Sequence, residues 1–131
     1  MRNLVIILLI LVVPIIAYIT LDSKKNKDVI SFAQAGDKPV VMIFSSAMCS
    51  DCVKMKKVIT IVEPQYKDKI DFIRLDAGSS DQQVQSMVKK YNVYLVPTMV
   101  FVDKTGKMKH RTEGSMPQVE FEKKLKDLIN G

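Results

Sequence analysis

A chain of 131 residues, 47% apolar and 26% charged, has room for one compact domain after its apolar start and is too short for two. This composition excludes a disordered, collagen-like or disulfide-dense scaffold. The formal charge of +6 comes from scattered lysines with no dense basic run interleaved with aromatics, so the lysines read as solvated faces and nucleic-acid binding is not expected.

The chain opens on LVIILLILVVPIIAYITL, residues 4–21, which carries no charge. As a helix it would span about 27 Å against a hydrocarbon core of about 30 Å, and a proline such as Pro14 is tolerated in a membrane span. Residues 1–21 are therefore expected to form an uncleaved, single-pass transmembrane anchor. A cleaved signal peptide competes, because Arg2 supplies a positive start, although signal cores run about 7 to 15 residues and no good small-x-small site follows. A buried soluble helix is the third reading. Arg2 and the terminal amine set against Lys24, Lys25 and Lys27 lean by a single charge towards a cytoplasmic C-terminal domain. Residues 22–28, DSKKNKD, read as a charged linker, which leaves 29–131 as the domain.

Val29, Phe32 and Ala33 are spaced as one face of a short helix that Gly36 and Pro39 stop. VVMIF, residues 40–44, is continuous and rich in β-branched residues, as in a strand buried on both faces. A helix over about 49–63 sets Cys52, Met55, Ile59 and Val62 on one apolar stripe, and Pro64 discourages its continuation. KIDFIRLDA, residues 69–77, alternates as a strand. Val84, Met87, Val88 and Tyr91 then mark a helix opened by capping residues. TMVFVD after Pro97 is a strand, KTG a turn and KMKHRT its more polar hairpin partner. A closing helix carries Phe121, Leu125, Leu128 and Ile129 on one side. A crossover helix implies parallel pairing and a tight turn antiparallel pairing, so the fold class is α/β, with a mixed sheet of about four strands covered by helices on both faces.

Cys49 and Cys52 are the only cysteines, three positions apart where a strand gives way to a helix. Helical i and i+3 positions lie about 5 to 6 Å apart, within disulfide range. Cys52 continues the apolar stripe and should be buried. Cys49 stands at the helix start, where N–H groups and the helix dipole favour a thiolate. Cys49 is thus read as the nucleophile and Cys52 as the resolving thiol of a dithiol–disulfide cycle. Asp51, between them, should disfavour a neighbouring thiolate and push the pair towards a reductant, or merely complement the helix start. Two ordinary buried cysteines, a static disulfide, or half of a metal site are the competing readings. Structural zinc wants four ligands, however, and the single His110, read as solvated, is far along the chain, so no metal is expected. A lone CxxC is weak evidence that its context must strengthen.

That context resembles the thioredoxin family. VVMIFSSAMCSDCVKMKKV is similar to the family's strand, CxxC and helix, and YNVYLVPTMVFVDKTGKM to its proline segment and hairpin. Gly114 matches a glycine that the family places after that hairpin. The resemblance covers about residues 28–130, and the flavour of AGDKPVVMIF is that of membrane-tethered domains carrying reducing power across bacterial membranes. It implies a thioredoxin-like fold and a protein-disulfide oxidoreductase with no cofactor beyond the Cys49–Cys52 disulfide. Pro97 would be a cis proline facing the cysteines, with the Val96 backbone free to pair with an extended substrate beside Cys49 and Met48 standing where many thioredoxins have tryptophan. Arg74 falls where the family often has a basic residue near the active site; the alternative is a surface-facing strand residue. Two departures matter: Ile43 replaces the family's buried strand carboxylate and Lys57 its helix proline. Cys52 would then need water, Asp51 or a substrate group to take its proton. The implied partners are protein disulfide or dithiol substrates, an upstream electron donor and, through residues 4–21, a membrane. The chain is expected to act as a monomer, and single-span relatives place the domain outside the cytoplasm. A non-enzymatic membrane-tethered metallochaperone or assembly factor of the same fold is the alternative, and a purely structural anchored domain a weaker third.

Overall fold

The computed structural model describes the backbone of residues 1–31 and 36–131, and side chains at residues 1, 3–18 and 36–131. It divides into two compact units, Met1–Phe32 and Ala33–Gly131. The first holds a single helix, α1 (Arg2–Ser31), with Pro14 inside it. This helix crosses residues 22–28 without a break, where a linker was expected. Its lysines are good helix formers, so charge alone does not end a helix. The expected helical face at Val29, Phe32 and Ala33 lies outside the described side chains. Among the described residues no helix is long and apolar enough to cross a membrane; the uncharged run of residues 4–21 extends beyond the side chains described there.

The second unit runs β1 (Val40–Ser45), α2 (Ser50–Tyr66), β2 (Asp71–Asp76), α3 (Gln82–Lys90), β3 (Thr98–Val102), β4 (Met108–Glu113) and α4 (Gln118–Asn130). The four strands make one mixed sheet in the order β2-β1-β3-β4. β1 pairs parallel with β2 and antiparallel with β3, and β3 pairs antiparallel with β4. The two central strands are the two continuous apolar runs, and Val40–Phe44 and Thr98–Val102 are buried throughout. β2 and β4, at the edges, are only partly covered and correspondingly mixed in sequence.

Alternation along the strands sorts the core into two layers. Val41, Ile43, Met99 and Phe101 face α2 and α4, whose Met55, Ile59, Val62, Phe121, Leu125 and Leu128 complete the main cluster. On the opposite side the Phe44 and Tyr91 rings pack tilted at 6.5 Å, at the end of α3. Burial raises the pKa of the Tyr91 hydroxyl. Asp81 caps α3, accepting from the N–H groups of Gln83 and Val84.

Two local expectations change. α2 passes through Pro64 and closes at Tyr66, with the Lys67 N–H donating to the Glu63 carbonyl at 2.9 Å. A proline in the last turn removes one helical hydrogen bond, that to Thr60, and Thr60 is on the exposed side. His110 is half-buried rather than solvated: its ring meets Phe101 edge-on at 6.1 Å, because the β3–β4 register sets the two opposite each other.

Candidate active site

β1 and β3 run antiparallel with Phe44 opposite Thr98. Whatever follows β1 must therefore meet whatever precedes β3. The chain leaves β1 through Ser46–Met48, closes a turn with the Cys49 N–H donating to the Ser46 carbonyl at 3.4 Å, and enters α2. Cys49 is the N-cap of that helix. Its sulfur sits where a serine or aspartate oxygen would sit in other caps, and it accepts the Cys52 N–H at 3.1 Å. A negative charge on this sulfur would be held by that N–H and by the positive end of a 17-residue helix.

The two cysteines are joined as a disulfide, with α-carbons 5.2 Å apart. They are unequally covered. Cys52 is 7% exposed and heads the buried stripe of Met55, Ile59 and Val62, whereas Cys49 is half-buried at the rim. The Cys49 sulfur lies 3.4 Å from the Val96 carbonyl oxygen, and the Val96–Pro97 peptide is cis. This segment is pinned on both sides: Thr98 Oγ1 donates to the Leu95 carbonyl at 2.6 Å, and the Gly114 N–H donates to the Pro97 carbonyl at 2.8 Å. Gly114 has φ +83°, a conformation only glycine adopts without strain. Met48, next to Cys49 in the chain, is 99% exposed, and Val53, Tyr94 and Leu95 are exposed as well.

Asp51 pairs with Lys54 at 2.9 Å, an exposed i,i+3 contact of small energetic weight. Arg74 is exposed on β2, and its guanidinium takes both carboxylate oxygens of Glu63 on α2. It also lines a cleft of about 350 Å³ that reaches Cys52 from the α2–β2 side. Ile43, Ser45, Lys56 and Asp76 line the same cleft. Sequence reasoning missed Asp76. The signal was present in the alternation of β2: Ile70, Phe72, Arg74 and Asp76 share one face, and the register sets Asp76 beside Ser45, two positions beyond the Ile43–Arg74 pair. Among the described residues no cluster of three or more His, Cys, Asp or Glu side chains is placed to hold a metal ion.

Residues 26–129 match the thioredoxin-like domain family. The chloroplastic thioredoxin-like protein HCF164 of Oryza sativa subsp. japonica is 26% identical over 99 residues, which cover 76% of this chain and 37% of that protein. The thiol-disulfide oxidoreductase ResA of Bacillus thuringiensis subsp. konkukian is 27% identical over 110 residues, covering 70% and 64% of the two chains. This chain thus spans well under half the length of the rice protein. In fold it is similar to oxidised thioredoxin O2 of Arabidopsis thaliana, with a TM-score of 0.63 at 24% identity over 81% of this chain and 88% of that one. With a CxxC at the tip of α2, a proline segment against it and a match across most of its length, the chain belongs to the thioredoxin-like domain family.

Proposed function

We propose that this protein is a membrane-anchored thiol–disulfide oxidoreductase that reduces protein disulfides on the extracytoplasmic side. The observation that carries the activity is the pairing of a rim sulfur at a helix N-cap with a shielded sulfur one turn on, both beside the Val96–Pro97 edge. The names of the relatives, thioredoxins and a thiol-disulfide oxidoreductase among them, support the same chemistry. In this reading the Cys49 thiolate attacks a substrate disulfide and forms a mixed disulfide, expelling one substrate thiolate. Cys52, having lost its proton, then attacks the Cys49 sulfur, expels the second thiolate and leaves the Cys49–Cys52 disulfide. An upstream dithiol of the same class returns two electrons and two protons to the pair.

Val96 offers its backbone to an extended substrate segment, and Met48 offers an apolar contact beside the sulfur. Asp51 opposes a stable thiolate and favours the reducing direction, with a potential nearer about −270 mV than −120 mV. The uncharged run of residues 4–21 supports the anchor.

The full chain, purified in detergent, should reduce a protein disulfide with turnover that either Cys49→Ser or Cys52→Ser abolishes, and Cys52→Ser should accumulate a mixed disulfide through Cys49. Stoichiometric copper or zinc binding without turnover would instead favour the metallochaperone reading. In intact cells, a membrane-impermeant thiol reagent should label Cys49 after reduction, and the chain should stay in the membrane fraction through an alkaline wash. Labelling seen only after lysis would overturn the placement.

A further inference from the structure

Resolution of the mixed disulfide requires Cys52 to lose a proton, yet Cys52 is buried in an apolar stripe, where burial disfavours a thiolate. The carboxylate that the resemblance expects on the β1 face is absent, since Ile43 occupies that position. Asp51 is paired with Lys54 in an exposed contact and does not line the cleft that reaches Cys52. One carboxylate does: Asp76, at the C-terminal end of β2.

We infer that Asp76 takes the Cys52 proton through water in this cleft, as a positioning residue for that proton rather than a direct contact of the sulfur. This rests on the oxidoreductase reading. A cleft of about 350 Å³ admits several water molecules, and Ser45, Lys56 and Asp76 give them polar partners. One oxygen of Asp76, Oδ1, accepts the Gly78 N–H at 3.0 Å, which fixes the carboxylate at the strand end. The other oxygen takes no protein hydrogen bond among the described residues.

The charged side chains that share the cleft with Asp76 are cations, Lys56 and Arg74. Lys56 from α2 lines the cleft and has no ion-pair partner among the described residues. Arg74 from β2 is occupied by Glu63 of α2, and β1 with the residue after it contributes only the hydroxyls of Ser45 and Ser46. As Cys52 attacks the Cys49 sulfur of the mixed disulfide, its proton passes by way of water to Asp76, the Cys49–substrate S–S bond breaks, and the substrate thiolate leaves with the electron pair. Asp76 returns the proton to water.

The test uses the reduced full chain and the aromatic disulfide 5,5′-dithiobis(2-nitrobenzoate) in stopped flow. The first thionitrobenzoate released reports attack by Cys49, and the second reports resolution by Cys52. Asp76→Asn removes the base but keeps an oxygen for the Gly78 N–H, so thermal stability should be retained; Asp76→Ser keeps such an oxygen too, should Asn fail to fold. The wild-type second phase should be nearly flat in rate around neutral pH. In Asp76→Asn it should be about 10- to 100-fold slower at neutral pH and rise about tenfold per pH unit, with the first phase unchanged. Asp76→Glu should restore the flat limb. A second phase in Asp76→Asn with wild-type rate and pH profile would overturn the inference, as would Asp51→Asn producing the change instead. A wild-type protein with no first phase would overturn the oxidoreductase reading as well.

Discussion

The Cys49 sulfur sits 3.4 Å from the carbonyl oxygen of Val96, 47 positions further along the chain. The contact follows from strand direction: the end of β1 and the start of β3 are neighbours because the two strands are antiparallel, so the α2 N-cap and the Val96–Pro97 peptide share one rim. A thiol on Cys49 would donate to that oxygen, whereas a thiolate would be repelled by it and held by the Cys52 N–H on its other side.

Gly114 holds this rim from behind through the Pro97 carbonyl, at a φ of +83°. A β-carbon there would meet nothing within 4 Å, so Gly114→Ala is disfavoured by backbone conformation and not by crowding. We expect it to cost about 1 to 2 kcal/mol, read as a lower denaturant midpoint at unchanged slope, and to slow disulfide reduction.

Met48 is almost wholly solvated, so its removal should leave the fold alone. Met48→Ala is expected to change stability by less than about 0.5 kcal/mol while lowering kcat/KM for a protein disulfide about two- to tenfold through lost apolar contact. Equal loss with a small disulfide that cannot reach Met48 would contradict a docking role.

The hairpin turn between β3 and β4 gives a pH signature. The Asp103 carboxyl lies below its ordinary 3.8, held there first by the Thr105 hydroxyl, then by the N–H groups of Lys107 and Thr105 and the charge of Lys109, against the opposing effect of desolvation. A depressed folded-state value means that the unfolded chain binds more protons, so the contribution is complete above the ordinary value and fades as pH falls through the folded one. Thermal melts at about pH 6 and about pH 3 should therefore show a smaller acid loss in Asp103→Asn than in the wild type.

Phe121 is fully buried and packs against Phe101 at 6.1 Å, joining α4 to the central sheet. Phe121→Ala should cost about 3 to 5 kcal/mol, measured by chemical denaturation of the full chain. A cost below about 1 kcal/mol would mean that α4 does not form part of the cooperative core.

Most of this architecture was written in runs and spacings. Val40–Phe44 and Met99–Val102 were readable because a strand covered on both faces has few polar positions to interrupt it. The α2 and α4 stripes were readable because each helix buries one side only. The end of α2 was not, since a proline's cost depends on how many turns follow it. Nor was the unbroken passage of α1 through DSKKNKD, whose charges fit a linker and a helix equally well. Within the candidate site the cysteine pair stood out by its spacing; the alternation of β2 puts Asp76 on the face of Arg74, but its place beside Ser45 follows only from the pairing of β1 with β2. The half-burial of His110 arises in the same way, from what lies across the ladder.

The two central strands are sealed on both sides, and the exposed apolar side chains Met48, Tyr94 and Leu95 sit on the connections beyond their ends. Mutational drift at those connections leaves the sealed layer undisturbed. Under the proposed activity, these surface connections can therefore change their contacts with a docked substrate while the buried strands beneath them stay the same.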